Sequence, residues 1–261
     1  MKYFLTILAC VVVGFGSAQA AEQLYAATGF GGSIGELYIL DPADGSVISY
    51  VGLLNDADGN NYGLTGLVYD PTTRTLYGIT GSSMTEPNSF VIVDPQTALV
   101  TYVGGPFSSR LSDIAIDPFT YIIYAVSGSS KYFYSVDKET GLDLKFGNTN
   151  LLPQRGGGLA ADSNGVLYGT NDKTLFTYDK VTGDATGIGG TGLSAFVNAL
   201  DFTEADVLYG IEGGGNVLPS GEPDLSVRQR WLVVINEATG VARELGETVG
   251  DLNALAFVPL P

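Results

Sequence analysis

Histidine is absent from the 261 residues. That excludes a Ser-His-Asp triad, zinc held by imidazole, and histidine as general base. Cysteine occurs once, at Cys10, inside an N-terminal apolar run. Removal of that run would leave a mature chain with no disulfide, no thiolate nucleophile and no cysteine-ligated metal. Cations are scarce, with 12 Lys or Arg against 28 Asp or Glu, giving a net charge of −16 and a pI near 4.1. A surface of that sign repels phosphate backbones, so nucleic acid is not an expected partner. Charged residues make up only 15% and hydrophobic residues 45%, which is enough apolar side chain for a packed core. Beyond the N-terminus no stretch reaches the roughly 18 apolar residues of a membrane span. Helical periodicity is missing too.

What is present begins with a targeting pattern. Residues 1–20, MKYFLTILACVVVGFGSAQA, place Lys2 before an apolar run and end on Ala18-Gln19-Ala20. That is the build of a signal peptide with cleavage before Ala21, leaving residues 21–261 as one exported domain. Leu8-Ala9-Cys10 offers a lipoprotein anchor as the rival reading, although apolar residues continue past Cys10. The periplasm, the cell surface and the extracellular space are the expected locations, and a monomer is expected.

The mature chain repeats itself. Leu-Tyr-Gly stands at Leu76, Leu167 and Leu208, with near-copies at Leu24-Tyr25-Ala26 and Ile123-Tyr124-Ala125. The five tyrosines are spaced 52, 47, 44 and 41 residues apart. Each is followed by a second element carrying Asp41, Asp94, Asp137, Asp179 or Asn236, usually closed by a Thr-Gly turn. A third element, as in Gly66-Leu67-Val68-Tyr69-Asp70, precedes most of the tyrosines, and its fifth copy, Asn253 to Pro259, ends the chain. A short segment ending in Val-Gly completes the unit, as at Val51-Gly52 and Val103-Gly104. Four strands in a repeat of 40–50 residues predict an all-β fold, a five-bladed β-propeller of four-stranded antiparallel blades. The C-terminal copy would supply the innermost strand of the N-terminal blade and close the ring. In each Leu-Tyr-Gly the Leu is expected between sheets, the Tyr in the wedge, and the Gly where the next blade comes close.

The pattern resembles the secreted bacterial propellers of the NHL and YncE-like kind, over nearly the whole mature chain. Val258-Pro259-Leu260-Pro261 looks like the start of a PEP-CTERM sorting tail, without its apolar segment and basic cluster. The resemblance implies a fold that hosts many activities, so function rests on a site.

In a propeller the loops entering the inner strands and those joining second to third strands share one face, the channel mouth. The sequence places a column there: Gly66, Asp113, Gly158, Asn198 and Asn253. Asp113, Asn198 and Asn253 are candidate ligand-binding residues, or else strand-start side chains bonded to nearby backbone. Arg110, Arg155, Arg228 and Arg230 fall on the same face, the last two in a long insertion from Gly213 to Arg230, and are candidates for holding an anion. Asp56, Asp58 and Asn60 have the alternating oxygen spacing of a calcium loop, but Asn61 and Leu67 stand where an EF-hand has Gly and Glu. An Asp/Asn-rich turn is the alternative. No motif requires an organic cofactor, and calcium is the one candidate ion.

The expected function is a non-catalytic binding module whose mouth face takes a small polar ligand, a glycan or a protein partner. A hydrolase or lyase centred on Asp113, with or without calcium, and a purely structural surface protein remain as alternatives.

Overall fold

The computed structural model describes residues 21–29, 33–82, 85–152, 157–213 and 229–260. The expected signal peptide with Cys10, and the candidates Arg155 and Arg228, lie outside them. Twenty strands form five four-stranded sheets. The first blade holds β1 (Glu22–Thr28), β2 (Glu36–Leu40) and β3 (Val47–Leu53). The second holds β4 (Leu64–Asp70), β5 (Thr75–Thr80), β6 (Phe90–Val93) and β7 (Val100–Gly104). The third holds β8 (Leu111–Ile116), β9 (Ile123–Ser127), β10 (Tyr132–Val136) and β11 (Asp143–Asn148). The fourth holds β12 (Leu159–Ala161), β13 (Leu167–Asn171), β14 (Thr174–Tyr178) and β15 (Ala185–Gly190). The fifth holds β16 (Phe196–Phe202), β17 (Leu208–Gly213), β18 (Arg230–Ile235) and β19 (Ala242–Thr248). The last strand, β20 (Leu252–Pro259), pairs antiparallel with β1 and becomes the inner strand of the first blade, with Leu24 opposite Phe257. The ring closes as the displaced repeat predicts.

The inner strands of each blade are buried on both faces, which is why they read as apolar runs, and the outer strands are largely exposed. Five core clusters result, one in each gap between neighbouring blades. The leucines of the repeat, Leu24, Leu76, Leu167 and Leu208, are at most 1% exposed. The tyrosines work as aromatic partners: Tyr77 stacks on Phe90 at 5.0 Å and Tyr124 on Phe133 at 5.6 Å. Tyr168 and Tyr209 meet Phe202 and Phe257 edge-on. Such pairs add about 0.5–1.5 kcal/mol each beyond area burial. The repeat glycine makes room inside its own blade rather than for the next one. A Cβ on Gly169 would lie 2.5 Å from the Tyr178 ring, and one on Gly210 would lie 2.9 Å from Val197.

Close approach between blades occurs elsewhere, at the outer strands. The residue closing each third-to-fourth hairpin takes a left-handed conformation: Gly45, Gly141, Gly183 and Gly240, with Ala98 in the second blade. Each turn lies against a glycine of the preceding blade's outer strand, as with Gly141 on Gly104 and Gly183 on Gly147. A Cβ on Gly104 would sit 1.9 Å from the Thr140 carbonyl oxygen. The recurring Val-Gly and Thr-Gly pairs are thus two halves of one contact. Two gaps add an ion pair, Lys138 with Asp70 and Lys180 with Asp117.

Candidate functional site

The inner strands run from the mouth face, and their inward edges leave backbone N–H groups with no sheet partner. A buried N–H without an acceptor costs about 1–3 kcal/mol, so something must accept. Asp113 does. It is fully buried, and its Oδ2 accepts from the amides of Leu159 (2.9 Å) and Leu200 (3.1 Å). Its Oδ1 accepts from the amide of Ile114 at 2.9 Å. One carboxylate therefore joins β8, β12 and β16 across the axis. Burial holds its pKa well above the ordinary carboxylate range, against the pull of its three amide donors, and the charge of Asp201 adds to the rise. Asp201 repeats the device one gap on, where its Oδ2 accepts from the Phe257 amide of β20 at 2.7 Å. Burial pushes its pKa up to about 7, with the Phe257 and Phe202 amides opposing and the Glu22 charge contributing.

Strand register revises the column expected around Asp113. The residues preceding Leu67, Ile114, Leu159, Leu200 and Leu255, which pair with the third residue of each Leu-Tyr-Gly unit, are Gly66, Asp113, Gly158, Ala199 and Ala254. Asn198 and Asn253 sit one position earlier, at β-bulges. Register jumps from Val197 to Ala199 in β16 and from Leu252 to Ala254 in β20. They are counterparts of Thr65 and Ser112, the bulged residues of β4 and β8. The layer at Asp113 thus holds one long side chain among two glycines and two alanines. A Cβ on Gly66 would already lie 2.6 Å from Asp113 Oδ1. Asn198 is 6% exposed and its Nδ2 finds no partner among the described residues, while Asn253 is half-buried at the mouth.

The remaining candidates separate. Arg110 is exposed at the mouth. Arg230 is 2% exposed and donates from Nε to the Leu252 carbonyl (3.0 Å) and from Nη1 to the Gln229 carbonyl (2.9 Å), so it ties β18 to the start of β20. Asp56 folds its own loop. Its Oδ1 accepts from the amides of Asp58 and Asn60, and its Oδ2 from Asn60 Nδ2 and Tyr62 Oη. These bonds hold its pKa below the usual value. Among the described residues no group of three or more Asp, Glu, His or Cys is placed to hold a metal ion.

Two features were not anticipated. Glu212 on β17 is fully buried; its Oε1 accepts from the Ala195 amide (2.8 Å) and the Ser194 hydroxyl (3.1 Å). Burial raises its pKa and the Glu244 carboxylate adds to that. The second is a cleft on the mouth face between the third and fourth blades, about 350 Å³ counting its open mouth. Ser127, Ser130, Thr149, Thr170, Asn171 and Tyr178 supply its polar lining, and Leu151 and Leu152 an apolar side. Tyr178 is 7% exposed and stacks on Phe133 at 5.4 Å. Its burial raises the phenol pKa, so the hydroxyl stays protonated. The corresponding strand-end positions elsewhere hold Leu40, Val93, Val136 and Ile235. A lone tyrosine in an aliphatic column was the available signal.

No family model matches the chain, and no curated protein matches its sequence. Solved structures do. A chain of a nidogen/laminin complex aligns with TM-score 0.57 at 14% identity, covering 91% of this chain and 98% of that one. A gluconolactonase from Xanthomonas campestris aligns with TM-score 0.52 at 14% identity, covering 93% and 87%. A protein of unknown function from Bacteroides thetaiotaomicron aligns with TM-score 0.51 at 16% identity, covering 72% and 53%. At such identities the likeness is one of fold. With the five sheets and the closing strand, it makes the chain a β-propeller.

Proposed function

We propose that the chain is an exported, non-catalytic binding module of the NHL/YncE-like kind that engages its ligand or partner through the mouth face. One observation carries the reading: the carboxylate at the axis is 0% exposed and each of its oxygens already accepts backbone amides. A hydrolase or lyase centred there would need that group to reach a substrate. The mouth face instead offers the cleft between the third and fourth blades, with hydroxyls and an amide around an apolar side, the mixture that suits a glycan or another small polar ligand.

The test is a glycan-array and protein-binding screen of the chain from Ala21 to Pro261, with one substitution on each face. Leu152, 77% exposed at the cleft, is changed to Asp, and Val181, 84% exposed on the opposite face, is changed to Asp. Binding lost with Leu152→Asp and kept with Val181→Asp is the expected result. The reverse pattern, or no ligand of any class, overturns the reading.

A further inference from the structure

The cleft has donors and acceptors left over. Tyr178 has no hydrogen-bond partner among the described residues, although its ring is almost fully buried and lines the cleft. Asn171 donates from Nδ2 to the Leu152 carbonyl at 3.0 Å, and its Oδ1 accepts from no described residue. A free donor and a free acceptor in one concavity fit a group that does both, which is the chemistry of a hydroxyl.

Charge adds a second constraint. Among the described residues the lining holds no acid, in a chain with 28 Asp and Glu against 12 Lys and Arg. Two cationic residues have their backbone next to it. The backbone carbonyl of Arg110 accepts from Ser127 Oγ at 2.8 Å, and that of Lys131 accepts from Thr149 Oγ1 at 3.0 Å. Both side chains are exposed, and the ion pairs among the described residues are those of Lys138 and Lys180, on other surfaces. Unpaired cations beside an acid-free wall favour an anion. Leu151 and Leu152 add an apolar patch at the open mouth of the cleft.

We propose that this cleft binds the uronate residue of an acidic glycan, with its hydroxyls on Tyr178 and Asn171, its carboxylate facing Arg110 and Lys131, and its C–H face on the leucines. The inference rests on the mouth-face reading above and narrows it. A free carboxylate or phosphate lacks the hydroxyls and the C–H face, and a neutral sugar lacks the charge.

The experiment is NMR or calorimetric titration of the chain from Ala21 to Pro261 with glucuronate and galacturonate oligomers, galactose, acetate and inorganic phosphate. A uronate should bind at least about tenfold more tightly than galactose or the simple anions, and more weakly as salt rises. Tyr178→Phe keeps the ring and its stack, and should weaken uronate about tenfold. Arg110→Gln with Lys131→Gln should weaken it by at least as much, whereas Arg74→Gln on the opposite face should change nothing. Equal binding of galactose, equal binding of acetate or phosphate, or unchanged affinity in the cleft variants overturns the proposal. If no uronate binds but a different ligand is lost with Leu152→Asp, the uronate proposal fails and the mouth-face reading stands. If nothing binds, both fail.

Discussion

The axis of the propeller and the cleft between its third and fourth blades are both polar, and they use polarity in opposite ways. At the axis every oxygen of Asp113 is engaged by an amide of an inner strand. In the cleft the Tyr178 hydroxyl and Asn171 Oδ1 are bonded to no described residue. The first arrangement substitutes for sheet hydrogen bonds that the inner edges cannot make among themselves. The second leaves bonding capacity facing solvent. A polar group that stabilises the ring should be costly to remove and irrelevant to binding, and a polar group kept for a ligand should show the reverse. Substitution can break or sharpen that contrast.

The largest effect is expected at Asp113. Asp113→Ala strips acceptors from three buried amides and opens space at the centre of the ring. The loss should be about 3–5 kcal/mol, read as a shift in the urea midpoint or as loss of soluble protein. Asp113→Asn keeps one acceptor oxygen but turns an NH2 toward amide donors, and should cost roughly 1–3 kcal/mol. A stable Asp113→Ala protein that had lost ligand binding would reverse the assignment of the two regions.

Next comes pH. Asp201 has a native pKa of about 7 against an ordinary value of 3.8. Between those values the native state binds a proton that the unfolded chain does not, so stability falls as pH rises and levels off above about 7. Asp113 acts in the same direction. Asp70 and Asp117 act in the other, because Lys138 and Lys180 help hold their pKa values down, so their contribution is lost as pH drops below about 4. The melting temperature should therefore peak in mildly acidic solution. Asp201→Asn should flatten the fall between pH 5 and 8, and an unaltered slope would show that the axial carboxylates are not its source.

The ring was legible in the sequence because packing repeats. A Leu-Tyr-Gly or near-copy in each blade, an Asp- or Asn-initiated turn and a displaced last copy predict five sheets and the pairing of β20 with β1, and these are present. The site was less legible, for local reasons. A β-bulge inserts a residue without marking it in the sequence, so sequence spacing puts Asn198 and Asn253 in the Asp113 layer, which holds Ala199 and Ala254. Arg230, by sequence a candidate for holding an anion on a long insertion, is a buried tie to the Leu252 carbonyl. Sequence distance hides that contact, since β18 and β20 belong to different blades.

A smaller effect is expected at the gaps between blades. Asp70 is fully buried on its side chain, and Lys138 is 25% exposed. Lys138→Met removes the cation but leaves Thr72, whose amide and hydroxyl still donate to Asp70 Oδ1. The cost should be about 1–2 kcal/mol, below that of Asp113→Ala, because the carboxylate keeps partners and the lysine was partly screened. A loss as large as at the axis would mean that the ion pairs share the work assigned here to Asp113.

The smallest effect on folding is expected where the largest effect on binding should fall. Tyr178→Phe removes one oxygen that no described residue bonds, and leaves the ring stacked on Phe133 and packed over Gly169. Stability should change by less than about 0.5 kcal/mol, because the hydroxyl opens onto the cleft and no described residue bonds it. The same substitution should lower affinity for the cleft's ligand about tenfold. Chemical denaturation and titration on one sample decide the matter. A destabilised Tyr178→Phe protein would place the hydroxyl in the fold's own bonding network, like Asp113. A stable one that binds less tightly would show that the third and fourth blades hold that oxygen for something outside the chain.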